Sequence, residues 1–298
     1  MTLFAGIDGG QSSTIAVIGD DSGRVLARGS AGPADEVAQG PLSTRLRDAL
    51  RDAVADALAH AQLPHDSRFA CIVAGVSGYD GKVYGAPPDL PADRFALVHD
   101  TVIAHAGALD GKPGVIVIGG TGSVAYARSA AGDAALAGGW GYLFGDEGSA
   151  FWLARDAIAD AMRESDAHQE SELQPLILAH FAQPSLRAFV RAFYAGEISR
   201  PALAAFAPVL IAHGEAGNER AAQYVRDAAA SLVLLAKHAA ERVRLQAPDV
   251  AFLGGLLCNA TFSAAVDRWM HELLPDSRRT PPVRDAAEGA LLLAYRSV

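Results

Sequence analysis

Short apolar segments separated by glycine-containing turns occupy the first thirty residues. The runs LFAGID, TIAVIGD and RVLARGS are apolar and rich in β-branched residues, and GGQSS and DSG separate them. This pattern predicts three consecutive β-strands joined by tight turns. Between residues 41 and 63, apolar side chains then recur every four positions, at Leu42, Leu46, Leu50, Val54 and Leu58. Such spacing predicts an amphipathic helix that lies on the sheet.

The same order of elements occurs twice along the chain. The runs ACIVAGVSG and FALVHD predict two buried strands that complete the first half. The segment GVIVIGGTGSVAYARSAAGDAALAGG then repeats strand, glycine turn, strand, turn and strand, and DVAFLGGLLCNATF resembles ACIVAGVSG. A long helix is predicted from about residue 219 to 242. We therefore predict an α/β fold of two duplicated βββαβα units, with a ligand-binding cleft between the two lobes.

Composition and charge exclude several classes of protein. The 298 residues include 25 Lys and Arg against 34 Asp and Glu, and this net charge of −9 argues against a nucleic-acid-binding protein. Two cysteines and nine histidines without an HExxH motif predict neither a disulfide scaffold nor a zinc site. No apolar run is long enough for a membrane span, and the N-terminal residues lack a signal-peptide pattern. We expect a soluble, cytoplasmic protein without a membrane partner.

Two turns rich in Gly, Ser and Thr have the composition of phosphate-binding loops. DGGQSST covers residues 8–14 and GGTGSVAY covers residues 119–126, each between two predicted strands. Backbone N–H groups and hydroxyls in such turns can surround phosphate oxygens, although tight hairpins often have this composition for structural reasons alone. Their equivalent places in a duplicated fold favour phosphate binding. The dinucleotide fingerprint, the nucleophile elbow and the P-loop motif are absent from the sequence.

Six segments together resemble one known family. They are GIDGGQSST, HDTVIAHAG, VIGGTGSVAY, GGWGYLFGDEGSAFW, FLGG and DAAEGALLLA, spread over residues 6–295. The chain thereby resembles the N-acetylglucosamine kinase and glucosamine kinase family, within the superfamily of acetate and sugar kinases, heat-shock chaperones and actin. This resemblance implies two ribonuclease H-like lobes. Residues 1–112 would form a lobe with the first phosphate loop and the catalytic aspartate. Residues 113–298 would carry the second phosphate loop, the sugar loop and the adenosine loop, with the terminal helix packing back on the first lobe.

The resemblance also implies an activity and a set of site residues. The activity is transfer of the γ-phosphoryl group of ATP to a hydroxyl, expected to be the 6-hydroxyl, of N-acetylglucosamine or glucosamine. Asp100 would be the general base that takes the proton of the sugar hydroxyl. The ATP-binding positions would be Asp8, Gly9, Gly10, Gln11, Ser12, Gly120, Thr121, Gly122, Gly217, Gly254 and Gly255. The sugar-binding positions would be Asp35, Asp100, Ser123, Val124, Trp140, Gly141 and Asp146. Mg²⁺ would accompany ATP, held by Asp8 through water.

Three positions depart from the usual pattern of this family. Gln11 stands in place of a glycine, which is tolerable if its φ angle is negative. Val124 stands where the N-acetylglucosamine enzymes can carry an asparagine that contacts the sugar. Asp35 stands in place of a substrate-contacting asparagine, and its carboxylate could pair with the ammonium of glucosamine or be a solvated loop charge. Both amino sugars therefore stay open as substrates.

Other interpretations of the same residues also stay open. Asp100 could simply cap a helix that starts at Thr101. Trp140, between glycines, is expected to face a ligand, and Trp152 is expected to lie in the core. The alternative functions are an activator-type ATPase and a non-catalytic sensor of sugar or nucleotide. The expected partners are ATP and a hexosamine, and the family resemblance also allows a homodimer.

Overall fold

The computed structural model describes residues 1–35 and 40–297 of the chain. Internal contacts divide the chain into two compact units. Unit 1 comprises Met1–Pro113 and Pro281–Val298, and unit 2 comprises Gly114–Thr280. The C-terminal segment thus belongs to the same unit as the N-terminal strands. Among the described residues, no helix has both the length and the apolar composition that crossing a membrane requires.

Unit 1 is a five-stranded sheet with helices packed on its two faces. Its elements are β1 (Leu3–Gly9), β2 (Thr14–Asp20), β3 (Val25–Ala31), α1 (Arg45–His60), β4 (Phe69–Val76), β5 (Ala92–His99), α2 (Asp100–Ala108) and α10 (Ala286–Arg296). The sheet order is β3-β2-β1-β4-β5. Strand β2 pairs antiparallel with both β1 and β3, whereas β4 pairs parallel with β1 and β5 pairs parallel with β4.

Unit 2 has the same sheet topology. Its elements are β6 (Gly114–Gly119), β7 (Ser123–Arg128), β8 (Ala134–Gly138), α3 (Ala150–Asp166), α4 (Leu173–His180), α5 (Leu186–Tyr194), α6 (Arg200–Ala204), α7 (Ala207–Glu215), α8 (Glu219–Arg242), β9 (Asp249–Leu253), α9 (Ala260–Leu273) and β10 (Arg278–Arg279). The sheet order β8-β7-β6-β9-β10 matches that of unit 1, with the same parallel and antiparallel pairs. The predicted duplicated α/β fold is confirmed.

Helix α1 is shorter than its apolar stripe. A turn closed by the bond from Ser43 N–H to the Gly40 carbonyl oxygen (3.2 Å) precedes it, so the helix begins only at Arg45. Leu42 therefore lies outside the helix and is 95% exposed, which corrects the predicted start at residue 41. The four later stripe positions are buried in one apolar cluster with alternate residues of β1, β2 and β4, as the amphipathic pattern requires. Helix α8 has the predicted extent.

Helix α10 lies unusually close to its neighbours in unit 1. A Cβ atom at Gly6 on β1 would come within 2.0 Å of the backbone nitrogen of Leu291. One at Gly289 on α10 would come within 2.1 Å of the Ile103 carbonyl oxygen and 2.4 Å of the Gly107 nitrogen on α2. Real side chains do not reach such distances, so only glycine allows these backbones to touch. The contact places the N-terminal ends of α2 and α10 near the end of β1.

We predict that Gly289→Ala destabilises unit 1. The added methyl group must push α10 away from α2, and overpacking of this kind costs about 1–3 kcal/mol, more than the gain of about 1 kcal/mol from the better helix propensity of alanine. Urea denaturation measures the change in unfolding free energy. Gly32→Ala is the matched control, because a Cβ atom there meets nothing within 4 Å. Equal stability of the two variants would contradict the close approach.

Candidate functional site

The first predicted phosphate loop is a tight turn between β1 and β2. It is closed by the bond from Gly10 N–H to the Ser13 carbonyl oxygen (2.9 Å). The Gly10 carbonyl oxygen accepts from Ala34 N–H at 3.0 Å, which ties the loop to the segment that carries Asp35. Gln11 and Ser12 are exposed, and Gln11 has no positive φ angle. The glutamine is therefore compatible with the turn, and the outer side of the loop is open to a ligand.

The second predicted phosphate loop joins β6 to β7 in unit 2. Gly120 N–H donates to the Gly122 carbonyl oxygen (3.0 Å), and Ala150 N–H at the start of α3 donates to the Gly120 carbonyl oxygen (2.9 Å). Thr121 at the tip is exposed. Ser123 is buried, and its hydroxyl donates to the carbonyl oxygen of Glu147 (2.7 Å). The Ser123 hydroxyl is thus engaged in a hydrogen bond within the protein.

The predicted sugar loop leaves β8 and enters α3. Trp140 is 74% exposed, and Gly141 has a φ angle of +78°. Asp146 is buried, and its Oδ1 accepts from Ser123 N–H at 3.2 Å. Val124 lies half-buried on β7 next to this loop. Trp140 is free to meet a ligand, whereas the Asp146 carboxylate is already bonded to the second phosphate loop.

Trp152, which we expected in the core, packs partly buried against the core of unit 2. The remaining predicted nucleotide positions also lie in this unit. Gly254 follows β9 with a φ angle of +102°, and a Cβ atom there would lie 2.4 Å from the Gly119 carbonyl oxygen. Gly255 begins the 3-10 helix Gly255–Cys258 and is exposed. Gly217 is in the turn between α7 and α8. The structure therefore brings Gly254 against the second phosphate loop and shows no such contact for Gly217 within the described residues.

Two carboxylates of unit 1, Asp100 and Asp285, act electrostatically on a third, Asp8. Asp8 lies near the end of β1, Asp100 is the first residue of α2, and Asp285 is the N-cap of α10. Burial, together with smaller contributions from the negative charges of Asp100 and Asp285, raises the pKa of Asp8 from 3.8 to about 6. The carboxyl ends of parallel strands β1 and β5 bring the first two together. Such an edge is where open α/β sheets commonly bind ligands.

Asp100 is not the cap of helix α2. The cap is His99, whose ring Nδ1 accepts from Thr101 N–H at 3.3 Å. The same nitrogen lies 2.8 Å from Asp100 Oδ1 and 2.9 Å from Thr101 Oγ1. The Asp100 side chain is 29% exposed. The purely structural alternative, in which Asp100 caps the helix, is therefore wrong, and the carboxylate is accessible.

Asp35 lies beside a cation of its own unit. Its side chain is 21% exposed, and Oδ1 is 3.7 Å from Arg45 Nη1. Oδ1 accepts no hydrogen bond from the described residues. The carboxylate is thus neither fully solvated nor strongly bonded, and part of its charge is offset by Arg45.

Each unit has a cavity that is lined in part by the segments described above. The cavity in unit 1 has a volume of about 420 Å³, and both Asp8 and Asp285 contribute to its wall. The cavity in unit 2 has a volume of about 400 Å³ and is mostly apolar, with Tyr142 and Phe151 among its lining residues. Asp8 is therefore reachable from solvent although it is largely buried.

Two residues near these groups were not predicted from the sequence. His99 precedes Asp100 in HDTVIAHAG, and histidine is not among the residues that commonly cap a helix. Arg200 lies on the short helix α6, and its Nη2 donates to Asp146 Oδ2 at 2.5 Å. Fifty-four positions separate Arg200 from Asp146. No local pattern signals a contact at that separation, so only the tertiary structure reveals it.

Comparison with known proteins gives the family of the chain. The model of the BadF/BadG/BcrA/BcrD ATPase family matches residues 5–294. The chain belongs to this family. An N-acetylmuramic acid/N-acetylglucosamine kinase from Clostridium acetobutylicum is 29% identical over 205 residues, 67% of each chain. An N-acetyl-D-glucosamine kinase from Dictyostelium discoideum is 22% identical over 313 aligned positions, 99% of this chain and 98% of that protein.

A solved structure supports the same relationship for this BadF/BadG-type protein. The crystal structure of a protein from Chromobacterium violaceum, provisionally named an N-acetylglucosamine kinase, superposes with a TM-score of 0.79. The match covers 99% of both chains at 25% sequence identity. The whole fold, with both units, is thus shared with this protein.

The residues of this ATPase-family chain suit a hydrated divalent cation with its nucleotide. Among the described residues, no three or more His, Cys, Asp or Glu side chains are grouped to hold a metal ion. Mg²⁺ on a nucleotide commonly needs only one or two carboxylates, because waters and phosphate oxygens fill its other positions. Asp8 fits that requirement, since it is buried near two further negative charges and gains from a nearby cation.

We predict that Asp8→Asn stabilises the ligand-free protein at neutral pH. Because the pKa of Asp8 is raised from 3.8 to about 6 on folding, its stabilising contribution is complete below about pH 4 and is lost as the pH rises through about 6. At about pH 7.5 the ionised group costs roughly 2–3 kcal/mol, which asparagine avoids. Urea unfolding should show this difference in unfolding free energy between Asp8→Asn and the wild-type protein. The difference should disappear as the pH falls from about 6 to about 4.

Asp20→Asn is the matched control, from the same sheet. Hydrogen bonds from the Ser22 hydroxyl lower the pKa of Asp20, so its removal should destabilise the protein at neutral pH. If the difference in unfolding free energy between Asp8→Asn and the wild-type protein does not change with pH, the raised pKa of Asp8 is contradicted.

Proposed function

We propose that this protein is an ATP-dependent kinase that phosphorylates an amino sugar, with N-acetylglucosamine as the acceptor and its 6-hydroxyl as the reacting group. Family membership supports ATP as the donor. The names of the relatives from Clostridium acetobutylicum, Dictyostelium discoideum and Chromobacterium violaceum support the sugar. One observation carries the proposal, namely that two carboxylates lie at the carboxyl edge of the unit 1 sheet. Asp8 is near the end of β1 and Asp100 directly follows β5, and the charge of Asp100 contributes to the raised pKa of Asp8.

Phosphoryl transfer depends mainly on positioning the reactants and on stabilising their negative charge. Asp100 is accessible and adjoins His99, so it can accept the proton of a hydroxyl group placed against it. Gln11 and Ser12 in one loop and Thr121 in the other are exposed residues of turns whose backbone N–H groups could meet phosphate oxygens. Mg²⁺ held near Asp8 through water would neutralise phosphate charge. We assign Asp100 as the base and these loops as the phosphate-binding elements.

The surroundings of Asp35 favour N-acetylglucosamine over glucosamine. A carboxylate that selects an ammonium group gains most when it has no other cationic partner. Asp35 already has Arg45 at 3.7 Å. A neutral acetamido group needs no such charge, and it can use the carboxylate as a hydrogen-bond acceptor. We therefore choose the acetylated sugar as the substrate.

We predict turnover with N-acetylglucosamine and its loss in Asp100→Asn. ADP release with Mg²⁺ and ATP is followed over N-acetylglucosamine, glucosamine, N-acetylmuramate, N-acetylmannosamine and glucose. Removing a general base lowers kcat by about 10²–10⁴-fold, while ADP binding should not change. Asp93→Asn is the control, because Asp93 is an exposed residue of β5 paired with Arg68, and it should keep full activity. Sugar-independent ADP release would contradict the kinase and favour an activator-type ATPase.

We further predict that Asp35→Asn changes the ratio of kcat/KM for N-acetylglucosamine and glucosamine by less than about twofold, since a partly neutralised carboxylate contributes little selectivity for a cation. Mass spectrometry and proton-coupled phosphorus NMR of the product would identify the phosphorylated hydroxyl. A fall of tenfold or more in the relative efficiency with glucosamine would show instead that Asp35 recognises the ammonium group.

A further inference from the structure

Arg200, on the short helix α6, is held by several contacts within unit 2. Its Nη2 donates to Asp146 Oδ2 at 2.5 Å and to the Thr121 carbonyl oxygen at 3.4 Å. Its guanidinium carbon lies 5.1 Å from the centre of the Tyr142 ring and 5.6 Å from that of Phe151. These distances fit a cation placed over aromatic faces. The guanidinium is thus fixed in place by a carboxylate, a carbonyl and two rings.

These contacts connect Arg200 to the second phosphate loop along two routes. The direct route is the bond to the Thr121 carbonyl oxygen at the loop tip. The second route passes through Asp146, whose other oxygen accepts from Ser123 N–H at the end of the loop. The two bonds hold the loop at both sides of Gly122. A Cβ atom at Gly122 would lie only 2.9 Å from both Arg200 Nη2 and Asp146 Oδ2.

This arrangement is unfavourable if it serves stability alone. The Asp146 side chain is only 5% exposed, and Asp146 has a φ angle of +60°. Arg200 Nε is buried and has no hydrogen-bond partner among the described residues. Burial of an ion pair often contributes no net stability compared with apolar side chains of similar size. The Arg200 side chain is 28% exposed, so the pair is half-buried. A strained residue, an unpaired donor and a half-buried ion pair at one place indicate a positional requirement.

We propose that Arg200 is a positioning residue that fixes residues 120–123 in their nucleotide-binding conformation. The proposal deepens the proposed function, because it rests on the assignment of this loop to the phosphates of ATP. Arg200 sets the shape of the loop through Thr121 and Asp146, and it also keeps Asp146 from turning towards solvent. Nucleotide affinity then depends on a residue that lies nearly eighty positions further along the chain.

Hydrogen–deuterium exchange of the ligand-free protein tests the positioning directly. Arg200→Gln should raise the exchange rate of peptides that cover residues 119–124 and 141–149 by about tenfold, because charge-assisted bonds of this strength oppose local opening. Arg200→Lys keeps the charge but has no forked group to reach both Asp146 and Thr121, so its effect should be intermediate. Arg187→Gln is the matched control, an exposed arginine paired with Asp166 in the same unit, and should change neither peptide.

Binding of Mg·ADP and steady-state kinetics supply the second test. Arg200→Gln should raise the Kd of Mg·ADP and the KM of ATP about tenfold, with Arg200→Lys in between. Unchanged exchange in residues 119–124, or a lower melting temperature with an unchanged Kd, would overturn the proposal. A rise confined to the KM of the sugar would also overturn it. If Arg200→Gln does not fold, Arg200→Lys supplies the same comparisons.

The exchange and ADP-binding measurements require no sugar turnover. If the wild-type protein phosphorylates none of the sugars but Arg200 variants still loosen the loop and weaken Mg·ADP binding, the proposed function fails and the positioning role stands. If sugar is phosphorylated and the loop does not respond to Arg200, the positioning role fails alone.

Discussion

The arrangement of charge in unit 1 depends on the backbone contact of α10 with β1 and α2. Gly6, Gly107 and Gly289 let these elements approach to distances that no side chain would permit. As a result, the first residue of α2 and the N-cap of α10 both carry their carboxylates towards the end of β1. Helix N-termini favour negative charge. The two helix ends, together with Arg28, whose Nη1 lies 2.6 Å from Asp285 Oδ2, therefore lower the cost of placing Asp100 and Asp285 near Asp8.

The two units have the same sheet topology but different residues at the end of the first strand. Unit 1 has the buried acid Asp8 on β1 itself, and its loop is supported by backbone bonds to Ala34 and Ser77. Unit 2 has no acid at the corresponding end of β6, where the strand ends in Gly119. Its loop is instead supported from outside by Asp146 and Arg200. The end of the first strand thus carries a carboxylate in unit 1, whereas in unit 2 it leads into a loop that the Asp146–Arg200 ion pair supports.

The GGWGYLFGDEGSAFW segment of unit 2 carries both an exposed aromatic side chain and a buried carboxylate. Its glycines include Gly148, where a Cβ atom would lie 2.5 Å from the Ala228 carbonyl oxygen of α8. This close packing lets Ser149 cap α3 through a bond from Trp152 N–H (3.1 Å). Trp140 near the start of the segment stays exposed, while Asp146 further along it is buried. One stretch of chain can therefore offer an aromatic surface to a ligand and brace the neighbouring loop.

The order and type of the elements could be predicted from the sequence, because apolar periodicity and turn residues are local signals. They were enough for the duplicated βββαβα pattern, for both glycine-rich loops and for the length of α8. The start of α1 was misplaced, since Leu42 continues the stripe although a turn at Gly40 prevents a helix there. The tertiary structure alone decided how charges meet. The raised pKa of Asp8, the ion pair of Asp35 with Arg45 and the bond from Arg200 to Asp146 have no sequence signal, because each depends on distances between segments that only packing sets. The cap formed by His99 is local, but the sequence does not show whether the helix begins at Asp100 or one residue later, and the structure decides this.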